Sequence, residues 1–543
     1  MRYFTWAIAA ILILLPLDLV AAGQVDVILD QGEHELRKRD WKAAKQQFEK
    51  AIKAAPGDVH AHVGYQEAVL RSGSAEGLQA EYDSRHTKSP DNPDAVFLLA
   101  RLLDPEPALK LMKTAARPTF FVHLAQARAF RAIGKNAEAG TEIASAETKC
   151  PKDPRSLGLL AGYFEDGGKY DKAAKIYAQA VELGPKRVDS LVGLANALRR
   201  AGQVEEALKV VEKAEKLDPQ DPEILYRKGL VLIDKGDGSR AAQILGAAVA
   251  LVPKEIDILL AWGEGYLVAE KYGEAEEKFA IALGFEPRRI DILRRIGYAQ
   301  ELQDKNDDAL KSYQSIVKRK PLDIGARIAI GWIYTKKGKY DSALKELRQA
   351  SDSDPKNPMP YFLIGYVYDE MGRWGEAAES YEKAVKKDPE YAWAWNNLGL
   401  DQTFLGQGSK SIKSFQKAVK LAPKNVEFLL NLAFAYYDAK KYKDSIKGFS
   451  DCIDMDPKLK TAWVGLAISH KQAKNYKDAG EAYEKAIELD DKDADLHLML
   501  GILYEEQLKD DAKALAHYEL YIKNGGTDPN VGRWIEELQK KVK

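Results

Sequence analysis

Two cysteines, Cys150 and Cys452, are all that 543 residues contain, which rules out a disulfide framework as the source of stability. No charge sign is in excess: 81 Lys and Arg stand against 82 Asp and Glu. The chain therefore lacks the basic footprint of a nucleic-acid binder, and nucleic acid is excluded as a partner. There is no low-complexity tract, Gly/Ser linker or long like-charge run to mark an interior boundary, and no Asn-x-Ser/Thr acceptor. Motifs that carry chemistry are missing as well. No HExxH, paired-cysteine metal motif, phosphate-binding glycine loop or nucleophile elbow occurs. The eight histidines are scattered, and His60 and His62, two apart on a helical pattern, do not share a face. These absences argue against an enzyme and imply no metal and no cofactor.

One region departs from ordinary soluble composition. The first 22 residues carry Arg2, an apolar run from Phe4 to Leu17, then the small residues Val20, Ala21 and Ala22. That layout predicts a secretory signal peptide cleaved after Ala22. An uncleaved membrane anchor is the other reading, although Pro16 and Asp18 cut the run short of the roughly 20 residues a span needs. Either way the remainder is expected outside the cytosol, in a bacterial periplasm or secreted. Membrane contact is expected only through an uncleaved N-terminus.

What the sequence has in abundance is a period. Proline stands at 151, 185, 219, 253, 287, 321, 355, 389, 423 and 457, each 34 after the last, and Pro56 and Pro90 are also 34 apart. Within one period the pattern reads Tyr361, Ile364-Gly365, Tyr368, Ala377, Tyr381, Ala384, Pro389, and again Leu259, Trp262-Gly263, Tyr266, Ala275, Phe279, Ala282, Pro287. This resembles the tetratricopeptide repeat family, whose unit is a helix-turn-helix. The resemblance runs over about residues 25–528. It implies some fifteen units starting near 25, 59, 93, 120, 154, 188, 222, 256, 290, 324, 358, 392, 426, 460 and 494. The implied fold is an all-α solenoid, a right-handed superhelix. Its expected divisions are a signal segment 1–22, N-terminal units 23–119 with a short third unit around "DPEP" at 104–107, a regular array 120–528 and a capping helix 529–543. On the cap, Trp534, Ile535, Leu538 and Val542 are expected to line one face. Cys150 and Cys452, about nine repeats apart, would then be too distant to bridge. Gly331, Gly365 and Gly399 sit inside helical patterns at a cost of about 1 kcal/mol each relative to Ala, which close helix approach would explain.

The stretch "EYAWAWNNLGL" at 390–400 alternates like a strand but sits on a repeat helix, where residues three and four apart share a face. Tyr391, Trp395, Leu398 and Gly399 form the framework stripe; Trp393, Asn396, Asn397 and Leu400 form the other. By the resemblance, first helices line a concave groove, and this second stripe points into it. The same register places Tyr298, Trp332, Phe362, Tyr366, Asn431 and Phe434 there, with Phe404 and Tyr437 nearby. Two readings fit. The aromatics extend the core, or together with Asn396, Asn397 and Asn431 they form a groove for an extended peptide. Asp189, Glu223, Asp257 and Asp291 also recur at one register, either as first-turn acids favoured by the helix dipole or as a stripe for a basic partner. The expected function is a non-enzymatic scaffold that binds a protein or peptide of the cell envelope. The alternative is a carbohydrate-handling scaffold with a polysaccharide guest, as in exopolysaccharide export.

Overall fold

A computed structural model describes residues 17–542. The signal segment up to Pro16 lies outside the described residues. Among them are thirty-one α-helices, one π-helix and no strand. The helices pair as consecutive hairpins: α1 Leu17–Arg37 with α2 Trp41–Ala54, α3 Val59–Arg71 with α4 Leu78–Lys88, and the short α5 Pro93–Ala100 with α6 Pro105–Met112. Next come α7 Phe120–Ala132 and α8 Asn136–Lys149, α9 Pro154–Asp166 and α10 Tyr170–Leu183, α11 Val188–Arg200 and α12 Val204–Leu217. They continue with α13 Pro222–Asp234 and α14 Gly238–Leu251, α15 Ile256–Val268 and α16 Tyr272–Phe285, α17 Ile290–Leu302 and α18 Asn306–Arg319. Then follow α19 Ile324–Lys336 and α20 Tyr340–Ser353, α21 Pro358–Glu370 and α22 Trp374–Lys387, α23 Ala392–Phe404 and α24 Gly408–Leu421. The last are α25 Val426–Asp438 and α26 Tyr442–Met455, α27 Lys460–Gln472 and α28 Tyr476–Leu489, α29 Ala494–Leu503 and α30 Asp511–Lys523, and the single α31 Pro529–Val542. The chain divides into two compact units, Met1–Ala309 and Leu310–Lys543, and the division falls inside α18. Each unit is an all-α stack of hairpins.

Local chemistry sets each boundary. Asp153, Asp221 and Asn357 cap first helices, their side chains accepting backbone N–H bonds, and a proline follows each at the first helical position. Between the two helices of a hairpin one residue takes the left-handed conformation. Glycine does so without strain at Gly372 (φ 68°), while Glu270 (φ 58°) does so at some cost. The periodic prolines lie in the links between hairpins. There the Pro389 carbonyl accepts from the Trp395 indole at 3.0 Å, and the Pro457 carbonyl from Trp463 at 2.9 Å.

Packing depends on glycine facing a bulky ring or branched side chain. A Cβ at Gly365 would lie 2.8 Å from the Tyr381 ring, at Gly399 2.7 Å from Phe415, and at Gly331 2.6 Å from Leu347. Tyr381, Phe415 and Leu347 are buried, as are the alanines Ala377 and Ala384 one turn away from Tyr381. The last helix differs from the sequence reading in one place. Leu538 is buried and Trp534 packs 5.5 Å from Tyr518, but Val542 is exposed and Val531 fills the face instead. The helix starts at Pro529 and its apolar face is therefore spent before Val542. Among the described residues no helix is long and apolar enough to cross a membrane. Both cysteines are free.

Candidate functional site

In the first unit the N-terminal helix binds the repeats that follow it in sequence by more than a hundred residues. Arg155, in the first turn of α9, donates to Asp26 (2.5 Å), Asp30 (2.8 Å) and Glu33 (2.8 Å) on α1. Arg187, just before α11, reaches Asp30 (2.5 Å) and Glu33 (2.6 Å). The charge order then reverses. Arg37 donates to Asp189 (2.8 Å) and Asp221 (2.6 Å), and Arg39 to Glu223 (2.9 Å) and Glu255 (3.5 Å). So α1 lies across the starts of α9, α11 and α13. Two members of the acidic register, Asp189 and Glu223, hold arginines of the same chain. Asp291 instead holds Arg289, two residues away, at 2.6 Å. Hence the dipole account is incomplete for the first two positions: they are an acidic stripe with an internal basic guest.

One cluster among the described residues has metal-ligand spacing: His34, Asp218 and Asp221. Its Asp221 accepts from Arg37 through one oxygen and caps α13 through the other. His34 pairs with Asp218 at 3.1 Å. The donors are already satisfied as an ionic corner. Two other histidines, far apart in sequence, meet: the Nδ1 atoms of His497 and His517 are 3.0 Å apart. Burial and the neighbouring His497 push His517 down to about 4, so His517 is neutral at physiological pH.

The residues expected in the groove separate into three groups. Tyr298, on α17 of the first unit, is 51% exposed. In the second unit Trp332, Phe362, Tyr366 and Phe434 are half-buried. Trp332 and Tyr366 lie 5.6 Å apart, Phe362 packs on Tyr381 and Tyr391, and Phe434 sits edge-on to Phe449 at 4.9 Å. Trp393 remains 45% exposed, its ring edge-on to Phe428 at 4.8 Å, and Phe404 is 66% exposed and stacked on Trp374. Trp393 and Phe404 stand eleven residues apart on α23. Three helical turns bring them onto one face about 16 Å apart, with Asn397 and Leu400 between.

Asn396 requires correction. It is 0% exposed, because its place on α23 faces the neighbouring first helix and not open space. A polar chain runs from it in both directions. Asn431 donates to Asn396 (3.0 Å), Asn396 to Asn397 (3.3 Å), Asn397 to the Tyr381 hydroxyl (3.2 Å), and that hydroxyl to Asp369 (2.6 Å). The amides thus serve each other before any guest. The chain ends at the half-buried Asp369, near the buried Asp401; Asp369 Oδ1 and Asp401 Oδ2 are shut away from water with no other hydrogen-bond partner. Burial, then the bond to Asp369 and its charge, push Asp401 up to about 9. With burial raising both carboxyls, one proton shared between them is favoured over two ionised carboxylates.

Stacked helical hairpins of this kind are the architecture of protein-interaction scaffolds, which offer extended surfaces to their partners. Models of the tetratricopeptide repeat match residues 29–77, 124–188, 260–324 and 464–529, with others over 166–228 and 394–425; a TPR repeat model matches 331–372 and 367–400. The chain belongs to the tetratricopeptide repeat family. Among solved structures, the APC/C hetero-tetramer Cut9–Hcn1 is similar over 95% of this chain and 96% of that one, at 15% identity and TM-score 0.36. MamA is similar over 32% of this chain and 94% of its own, at 22% identity and TM-score 0.30. A tetratricopeptide repeat protein from Parabacteroides merdae is similar over 46% and 98%, at 18% identity and TM-score 0.38. No curated protein matches the sequence.

Arg37→Ala strands the buried Asp221 and is expected to destabilise the docking of α1 by about 3 kcal/mol. Hydrogen exchange in α1 and α2 should accelerate, while Arg85→Ala, which breaks the exposed pair with Glu81, changes little. Unchanged exchange in α1 would show that the ion pairs do not hold it. The carboxyl pair gives a second expectation. A raised carboxyl keeps its proton in the folded state where the unfolded chain has lost it. Its contribution is therefore complete below about pH 4 and declines as pH rises toward about 9. Between about pH 6 and about pH 9 the second unit's melting point should fall by at least about 3 °C more in the wild type than in Asp401→Asn. Equal slopes in the two proteins would refute the shared proton.

Proposed function

We propose that the second unit binds a partner protein through the α23 face, with Trp393 and Phe404 as anchors. The observation that carries this is the exposure of two large aromatics on one helical face, in a unit whose other aromatics are packed. Exposed aromatics on a rigid element are the residues that dominate binding energy, since ring burial adds much apolar contact for little loss of side-chain freedom. Asn397, between them, has one amide hydrogen on Tyr381 and its oxygen on Asn396, which fixes its orientation and leaves its second amide hydrogen for a peptide carbonyl. The guest that fits is a segment with two apolar side chains about 16 Å apart, a spacing that three helical turns of the guest also provide.

We place the protein outside the cytosol, in the cell envelope, on the strength of the N-terminal charge–apolar–small layout. A chain beginning at Gly23 keeps every ion pair of α1 described above. N-terminal sequencing of protein from the producing cell should return a start at Gly23; an intact Met1 start would exclude cleavage.

The binding surface is tested by capture from envelope extract. Trp393→Ala and Phe404→Ala are each expected to weaken the dominant captured protein by about thirtyfold, equivalent to about 2 kcal/mol, with unaltered melting. Capture that is indifferent to both substitutions would remove α23 as the interface. Retention of purified polysaccharide by wild type, lost in the same variants, would favour the carbohydrate guest instead.

A further inference from the structure

The inner side of the first unit contains a second binding feature, separate from the α23 face and independent of its reading. A cavity of about 420 Å³ opens between α1, α3, α7, α9 and α11. Beside it lies an apolar cavity of about 310 Å³ lined by Phe97, Leu103, Met112 and Leu124. Arg101, Arg128 and Leu159 belong to the walls of both. The charged residues around the larger cavity can be assigned almost completely. Arg155 and Arg187 are held by acids of α1, Asp189 by Arg37, and Glu67 by Arg71 at 2.8 Å.

Two cations are left over. Arg101 donates through Nε to the Gln66 side chain at 2.9 Å, and Arg128 makes only a long contact of 3.4 Å to the Leu159 carbonyl. Neither has a carboxylate within ion-pair distance among the described residues, and Arg128 Nε is buried without a hydrogen-bond partner. Burial first, and for Arg101 the nearby Arg128 second, lower both guanidiniums from their ordinary range. Glu67 acts on Arg101 and Asp166 on Arg128 only from beyond ion-pair distance, so two like charges facing one partly enclosed space favour the entry of a group of opposite sign.

A glycine points the same way. Gly158 lies inside α9 on the cavity wall, and a Cβ there would meet nothing within 4 Å. At the repeat glycines Gly331, Gly365 and Gly399 a packed side chain explains the missing Cβ; the helical glycines Gly140, Gly284, Gly375 and Gly408 also meet nothing but are exposed, whereas Gly158 is half-buried against open cavity, at a cost to the helix of about 1 kcal/mol relative to Ala.

We propose that the two adjacent cavities bind a small carboxylate with an aliphatic tail, its head on Arg101 and Arg128 and its tail in the apolar chamber. Guanidinium forks match a carboxylate with paired charge-assisted bonds. The combined space is in the range of small-molecule sites, largely apolar with a few convergent polar groups.

The test is calorimetric titration of the full chain with decanoate at neutral pH. Decanoate should bind, with decanol and acetate each at least tenfold weaker, because one lacks the head and the other the tail. Arg101→Gln and Arg128→Gln should each weaken decanoate at least tenfold. Gly158→Met, which fills the chamber beside the head group, should abolish binding while the melting point holds. No heat with decanoate up to about 1 mM would overturn the proposal. Equal affinity for decanol would do so too, as would unaltered affinity in both arginine variants. If the glutamine variants lose structure, Gly158→Met and the decanol comparison still decide.

Discussion

The contact on which the fold depends is a glycine on a first helix pressed against a ring or a leucine on a second helix. It occurs within hairpins, as Gly365 on Tyr381 and Gly229 on Leu245, and between successive hairpins, as Gly193 on Tyr177 and Gly465 on Phe449. In each case an added Cβ would lie closer than 3.0 Å to the neighbour. The same device sets the spacing inside a repeat and the spacing to the next one. A two-helix unit cannot bury both its faces alone, so the repeated contact is what converts marginal hairpins into a cooperative stack. Because the glycine and its partner occupy fixed places in the 34-residue period, the first helices keep their remaining face free of packing duty.

The two units use that free face differently. In the first, charges at the starts of α9, α11 and α13 receive α1, and the sign of the charge alternates along it: arginines of the repeats near Asp26 to Glu33, acids of the repeats near Arg37 and Arg39. Alternation fixes register, since sliding α1 by one helical turn would bring like charges together. Several of these groups are largely removed from water, where a lost partner costs more than a made pair gains. In the second unit the equivalent face carries aromatics and an amide chain. There the packing of Tyr381 against Gly365 has a further consequence: it places the hydroxyl between Asn397 and Asp369, so the framework contact also organises the polar network.

Helix starts and hairpin pairing were legible because they follow from local chemistry: period, caps, prolines and glycines. The starts of α3, α5, α7 and every later first helix coincide with the repeat origins read from residues alone. The α1 ion pairs were not legible, because Arg37 and Asp221 are 184 residues apart and only the curvature of the stack brings them together. The division inside α18 left no mark in composition. Asn396 was misplaced for a subtler reason. Helical periodicity gives two stripes, but residues on their border face the next first helix, and burial there depends on the hairpin angle. Asp369 and Asp401 stand at different places in their repeats, so no register argument could have paired them.

Glycine finally separates structural from functional space. Where the stack is tight, a missing side chain is answered by a neighbour's ring, and the loss in helix propensity is offset by packing. At Gly158 no neighbour answers. The same comparison separates the arginines. Arg155 and Arg187 on the repeats are paired with acids of α1, and Arg37 of α1 with acids of the repeats, so their charges are explained by the fold. Arg101 and Arg128 face the same interior with an amide, a carbonyl and, for Arg101, the Phe97 ring as partners, and no carboxylate within ion-pair distance. An unanswered glycine beside unanswered cations, next to an apolar chamber, is a combination that stability does not require. It follows that the first unit's interior has two layers of design: one that closes the unit with its own N-terminal helix, and one, beneath that helix, that remains complementary to something the chain itself does not supply.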